Sequence, residues 1–179
     1  MTIRNIIRMG HPSLRQQAQP VTPQMFGAAE LTQLVKDMVE TLHDCGGIGL
    51  AAPQIDVSLR VAIIDIPGGP SRYGEIAPLP LTTFINPKIE ILDPTTAGHF
   101  EGCLSVPGLR GFVERAQHIQ VSYTTIAGTP AQITLNGFWA TVFQHEFDHL
   151  DGILYVDRMN DTRQLMFEEE YSQFGSAEA

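Results

Sequence analysis

The chain has 179 residues, 43% hydrophobic and 17% charged, with a formal net charge of −9 at pH 7. That length and balance describe one globular domain, residues 1–179, with a core of its own, and exclude a disordered or fibrous chain. The acidic excess, with no clustered basic face, argues against direct DNA binding, and no apolar run approaches the length of a membrane span.

The segment from Met1 to Gly10 carries Arg4 and Arg8 but no long apolar stretch and no small-residue cleavage site, so no signal or transit peptide is read there. The expected compartment is the cytoplasm, and there Cys45 and Cys103 are not expected to form a disulfide. Ile3 to Met9 is a short apolar lead-in, and Gly10-His11-Pro12 turns the chain. His11 reads as a surface or capping residue. After the break marked by Pro20 and Pro23, Leu31, Leu34, Val35, Met38, Val39 and Leu42 recur at threes and fours. They predict a helix from about Met25 to Leu42, ended by Gly46 and Gly47.

The small residues from Gly46 to Gln54 admit two readings, a tight turn or close approach of the backbone to a neighbouring element or a ligand. The Lys and spacing of a phosphate loop are missing. Leu59 to Ile66 reads as a buried strand. Pro67 to Pro80, with four prolines and three glycines, reads as a surface loop. Thr82 to Ile91 reads as a strand pair broken at Asn86-Pro87. Ala97 to Gly102 leads into Glu101-Gly102-Cys103-Leu104-Ser105-Val106-Pro107-Gly108. His118 to Thr125 and Gln132 to Leu135 predict two antiparallel strands around the turn Ala127 to Pro130. A helix is predicted from Gly137 to Leu150, stopped by Asp151-Gly152, and a short terminal helix from Arg163 to Phe174. Neighbouring strands with helices at the ends give an α+β fold. Its antiparallel β-sheets pack around a central helix, with an N-terminal helix and a short C-terminal helix.

That central helix contains His145-Glu146-Phe147-Asp148-His149. Residues four apart share a helix face, so His145 and His149 aim two imidazoles at one spot and Glu146 stands beside it. The spacing suits a metal ion with a general base next to its water. The plain alternative is a polar helix with two histidines by chance, but Val142, Phe143 and Leu150 mark this helix as buried. A catalytic metal usually takes a third protein ligand. Cys103 is one candidate, although a free Cys is often apolar filler. The run Glu168 to Glu170 is the other, although such a run is more often a solvated face. His43, His99 and His118 read as structural or surface residues, Asp148 as a supporting carboxylate, and Trp139 as core.

Gly47-Ile48-Gly49-Leu50-Ala51-Ala52-Pro53-Gln54, Glu101-Gly102-Cys103-Leu104-Ser105 and Gln144-His145-Glu146-Phe147-Asp148-His149-Leu150 together resemble the three signature motifs of peptide deformylases, in the family's order. Gly10-His11-Pro12-Ser13-Leu14-Arg15 and Gly152-Ile153-Leu154-Tyr155 extend the resemblance over nearly the whole chain. It implies a metal-dependent hydrolase that removes the formyl group from the N-terminal formyl-methionine of newly made polypeptides and releases formate. It also implies one divalent metal per chain on Cys103, His145 and His149, with Fe(II) the natural ion and Zn, Ni or Co able to occupy the site. Glu146 is then the general base, and the Leu104 N–H and the Gln54 amide face the formyl oxygen. Beside the motifs, Ile48, Phe138 and Val142 would line the methionine slot and Gly49 and Gly102 would pair with the peptide backbone; Glu101 and Arg110 read equally as supports of the site or as members of surface ion pairs. The expected partners are formyl-methionyl nascent peptides, with transient ribosome contact. Two rivals stand beside this reading. One is a zincin-type metallopeptidase with its third ligand downstream, and the other is a non-catalytic metal module, for which no fourth ligand motif is found. Two departures from the family pattern stand out: Asp56 replaces a frequent glycine, and Glu168 to Glu170 make the C-terminal region acidic rather than basic.

Overall fold

The structure, a computed structural model, describes residues 2–71 and 74–175. Helix α1 (Ala29–Cys45) buries Leu31, Leu34, Met38 and Leu42 on one face. That face packs on Leu50 of strand β1 (Gly49–Ala51) and on Val61 and Ile63 of β2 (Val61–Ile66). The alternate β2 residues, Ala62 and Ile64, point the other way and join Val142, Phe143 and Phe147 of helix α2 (Phe138–Asp148). Strand β2 therefore lies between two helices. This is why its sequence is apolar without alternation, whereas a strand with one wet face alternates. The helix begins later than Met25 because Pro23–Met25 forms a separate 3-10 turn and Gly27 has φ of 79°.

Strands β3 (Gly69–Ser71) and β4 (Gly74–Ile76) form a small separate hairpin, so the segment read as a plain loop carries structure. The main sheet is antiparallel, in the order β1, β2, β5 (Leu79–Cys103), β6 (Val106–Thr124), β7 (Pro130–Asn136), with β8 (Leu165–Phe167) paired to β6. Its centre is β5 against β6, with β7 beyond.

The predicted break at Asn86-Pro87 is not a break. Strand β5 runs through it, with a register shift between Ile85 and Lys88. Asn86 takes φ of 50°, and its side chain accepts from the Val21 N–H at 2.9 Å and donates to the Val21 carbonyl at 2.8 Å. A turn-forming residue is thus held as a bulge by chain 65 positions away. The predicted C-terminal helix is also shorter. Leu165–Phe167 is drawn into the sheet beside Leu109–Gly111, and α3 covers only Glu168–Phe174. The antiparallel strands around Ala127–Pro130 and the helix stop near Gly152 agree with the sequence. Among the described residues, no helix is long and apolar enough to cross a membrane.

Candidate active site

Cys103 is the last residue of β5, placed by the tight Leu104-Ser105 turn into β6. Helix α2 supplies His145 and Glu146, and the 3-10 turn that continues it supplies His149. The sheet and α2 share the core around Phe84, Phe143 and Phe147, so the thiol is carried to the helix by packing rather than by sequence proximity. Cys103 Sγ lies 3.3 Å from His149 Nε2. One ligand atom from each of Cys103, His145 and His149 lies within 4.8 Å of the others. Among the described residues this is the group of three or more Cys, His, Asp or Glu able to hold a metal. Glu168 is instead exposed and engaged with Arg110.

The chemistry of these donors fits a divalent ion. Burial alone raises the Cys103 thiol, but the charges and hydrogen bonds of His149 and His145 outweigh it and hold the thiol well below its ordinary range. Sulfur is therefore favoured as thiolate, the form that binds metal. A thiolate with two imidazoles suits zinc or ferrous iron. His145 Nδ1 is occupied by Glu101 Oε2 at 2.7 Å, which leaves Nε2 as the ring nitrogen available to an ion.

Glu146 is buried, and its Oε2 has no hydrogen-bond partner among the described residues. Burial pushes its pKa up, against the opposing charges of His145 and His149. It lines a cavity of about 650 Å³. Ile48, Gly49, Gln54, Gly102, Leu104, Arg110, Phe138 and Val142 line the same cavity, as do Cys103 and His145. Two glycines are there for space: a Cβ on Gly49 would stand 2.5 Å from the Glu146 carboxyl carbon, and one on Gly102 would overlap the Arg110 guanidinium. Of the two readings of the glycine-rich stretch, close approach is the one realised at Gly49. Gln54 is buried, with Oε1 accepting from the Ala51 N–H at 2.8 Å. Its Nε2 lies 3.3 Å from Ser105 Oγ and 3.6 Å from Cys103 Sγ. Asp56, the departure after Gln54, adopts φ of 61°, the region a glycine would enter without strain.

The least expected feature lies behind His145. Arg115 donates from Nε to Glu101 Oε1 at 2.5 Å and from Nη2 to Glu101 Oε2 at 3.0 Å. Its Nη1 reaches Asp148 Oδ2 at 2.8 Å, and Arg158 also binds Asp148. Burial by itself would raise the Glu101 pKa, but the hydrogen bonds and charges of His145 and Arg115 hold it at about 2. Asp148 is thus the supporting carboxylate expected of it, while Arg115 and Arg158 were not singled out by sequence. A signal existed for Arg115: Gly111, Val113 and Arg115 are the inward, buried phase of β6, and a charge there needs a partner. Of the remaining histidines, His11 accepts from the Ser13 N–H and His43 pairs with Asp65 on the surface. Trp139 packs against the core, and both cysteines are free.

An antiparallel α+β domain holding a Cys-His-His cluster able to take one divalent metal, with a buried carboxylate at the head of a cavity, defines the class of mononuclear metal hydrolases. The family model for polypeptide deformylase matches residues 3–165, and the chain belongs to that family of enzymes. It is 45% identical over 165 residues to peptide deformylase 2 of Pseudomonas syringae pv. tomato, covering 92% of each chain. It is 37% identical over 175 residues to a peptide deformylase of Leptospira biflexa, covering 98% of each. Among solved structures, a class I type b peptide deformylase of Acinetobacter baumannii bound to Met-Ala-Ser aligns with TM-score 0.82 and 36% identity, over 88% of this chain and 98% of that one. The zincin-type alternative finds no support in these relatives.

Proposed function

We propose that the chain is a single catalytic domain, residues 1–179, that removes the formyl group from formyl-methionyl nascent peptides and releases formate. The observation that carries this reading is the convergence of Cys103, His145 and His149 within 4.8 Å, in one cavity with Glu146, whose Oε2 has no hydrogen-bond partner among the described residues. Cys103, His145 and His149 would hold one divalent ion, Fe(II) in the cell with Zn, Ni or Co able to replace it, and it would supply the Lewis acidity that lowers the pKa of water toward neutral. Helix α2 serves as the metal-binding helix at the centre of the domain.

Glu146 accepts the proton of the attacking water and returns it to the departing amine. Its raised pKa suits it to both steps. Attack on the formyl carbon puts negative charge on the formyl oxygen, and the Leu104 N–H and Gln54 amide are the donors for it. An amide at Gln54 serves here where a carboxylate would repel the charge. Ile48, Phe138 and Val142 form an apolar slot for the methionine side chain. Gly49 and Gly102 leave backbone free to pair with the extended peptide, and Arg110 fixes the outer wall beside Gly102. Binding of Met-Ala-Ser to the Acinetobacter relative supports a peptide of this kind, since it carries the deformylated N-terminus. Action on nascent chains places the enzyme in the cytoplasm, in transient contact with ribosomes. The exposed run Glu168 to Glu170 argues against docking through a basic tail, and the net charge of −9 against DNA. No membrane association is proposed.

Formate release from formyl-Met-Ala-Ser, with and without bound metal, tests the reading. Glu146→Gln keeps metal and fold but loses about 10²–10⁴-fold in turnover. Near-wild-type turnover by metal-loaded Glu146→Gln would remove Glu146 from the mechanism, and cleavage of internal peptide bonds with no formate released would remove the reading itself.

A further inference from the structure

Arg158 lies outside the sequence motifs, and its side chain is nearly half exposed. Its guanidinium nevertheless closes on Asp148 twice, Nη2 to Oδ1 at 2.7 Å and Nε to Oδ2 at 3.1 Å. From there the partners alternate in sign: Asp148 to Arg115 at 2.8 Å, Arg115 to Glu101 at 2.5 and 3.0 Å, Glu101 to His145 Nδ1 at 2.7 Å. Four hydrogen-bonded pairs thus lead from the surface to one imidazole. Arg115 must serve two carboxylates, and it is free to hold Glu101 with two N–H groups because Arg158 shares the charge of Asp148.

A second contact comes from the same short turn. Arg158 ends the 3-10 helix Tyr155–Arg158, and the Tyr155 ring stacks on His145 with centroids 6.2 Å apart and planes 20° from parallel. The turn therefore addresses His145 from two sides, through the charged chain and through a ring face. His149, by contrast, has no hydrogen-bond partner for its buried Nδ1 among the described residues. Control of imidazole orientation by partners falls on His145.

We propose that Arg158 is a positioning residue for His145, acting through Asp148, Arg115 and Glu101. The inference rests on the reading that Cys103, His145 and His149 hold the metal. Without Arg158, Asp148 draws on Arg115 alone, Arg115 loosens from Glu101, and the His145 ring loses its fixed direction. The consequence is a faster loss of metal, since partners behind ligands are worth about 10–100-fold in metal affinity or activity.

The test is release of Co(II) or Zn(II) from the full-length protein to excess chelator, with the visible spectrum of the cobalt form recorded alongside. Arg158→Gln is expected to release metal about tenfold faster and to shift the cobalt bands. Arg158→Lys keeps the charge but cannot span both carboxylate oxygens, and is expected about threefold faster. Arg4→Gln is the control: Arg4, as exposed as Arg158, makes a comparable pair with buried Asp37 at 2.8 Å, outside the chain to His145 and away from the turns that carry the ligands. It should release metal at the wild-type rate. Wild-type release by both Arg158 variants, or equal acceleration by Arg4→Gln, overturns the proposal and leaves Arg158 a general support of the fold. If Arg158→Gln does not fold, the Arg158→Lys rate decides alone. Failure of the wild-type protein to take up one metal per chain would instead overturn the metal reading beneath it.

Discussion

Strand β6 carries two arginines five positions apart, and each holds a glutamate. Arg115 and Glu101 face inward, 4% and 6% exposed. Arg110 and Glu168 meet at the cavity mouth, 20% and 50% exposed. An odd separation puts the two arginines on opposite phases of the strand, so the same pairing chemistry is delivered to two dielectric environments. Inside, each charge has surrendered its water and depends on its partner. Outside, water replaces whichever partner is lost. The difference teaches that Arg115 and Glu101 specify the site behind His145 because they cannot be solvated, while the mouth pair adds little to stability.

Breaking the inner side gives the largest effect. Arg115→Met strands Glu101 without its cation and leaves Asp148 to Arg158 alone. The expected loss is about 3–5 kcal/mol, the range for removing one member of a buried pair. Urea unfolding of the metal-free protein measures it, which separates fold from metal binding. Adding Glu101→Gln to Arg115→Met should recover part of the loss, since no charged partner is then abandoned beside His145. A loss below about 1 kcal/mol would show that water reaches the network and that the inner pair behaves as a surface pair.

An intermediate case lies near the N-terminus. Asp37 is buried, but its partner Arg4 is nearly half exposed, with Nε 2.8 Å from Oδ2. A hydrogen bond from Gln33 lowers the Asp37 pKa most, burial opposes it, and Arg4 and the Thr2 N–H lower it further. The folded pKa therefore lies below the ordinary value of 3.8. The stability it contributes is fully present above that value and is lost as pH falls through the lower folded one. Hydrogen exchange of residues 2–9 should rise over that acid window before the sheet opens. Arg4→Gln should move the onset toward higher pH, since one of the interactions that lowers the pKa is gone. No change in onset would mean that Gln33 and Thr2 hold Asp37 alone.

The legible parts of this protein are those whose signal is local. His145 and His149 declare a helix face by their spacing, whereas Cys103 is singled out over Glu168 to Glu170 only by the family resemblance. The α1 face could be read from periodicity, and the doubly buried β2 from its unbroken apolar run. What was missed or misread depends on distant chain. Arg115 finds its partners 14 and 33 positions away. Asn86-Pro87 has every local mark of a turn, yet Val21, 65 positions off, holds it as a bulge inside a strand. Leu165–Phe167 has no strong pattern of its own and becomes a strand because the edge at Leu109–Gly111 accepts it. Arg158 carried no local signal, since its partner on α2 is specified only by the fold.

The outer pair gives the smallest effect and the sharpest check on the comparison. Arg110 lies over the bare Cα of Gly102 on one side and donates from Nε to Glu168 Oε1 at 3.0 Å on the other. Glu168→Gln removes the charge but keeps an acceptor oxygen, so Arg110 retains a hydrogen bond and gains freedom. The expected stability change is about 0.2–1 kcal/mol. It should shrink between ~0.1 M and ~1 M salt, as the screening length falls from about 10 to about 3 Å. Arg115→Met should show no comparable salt dependence, because mobile ions do not reach a pair that is 4% and 6% exposed. Unfolding of both variants at the two salt concentrations makes the comparison directly. A salt-insensitive loss above ~2 kcal/mol for Glu168→Gln would mean that the C-terminal segment seals the mouth against water, and the two pairs would then belong to one class.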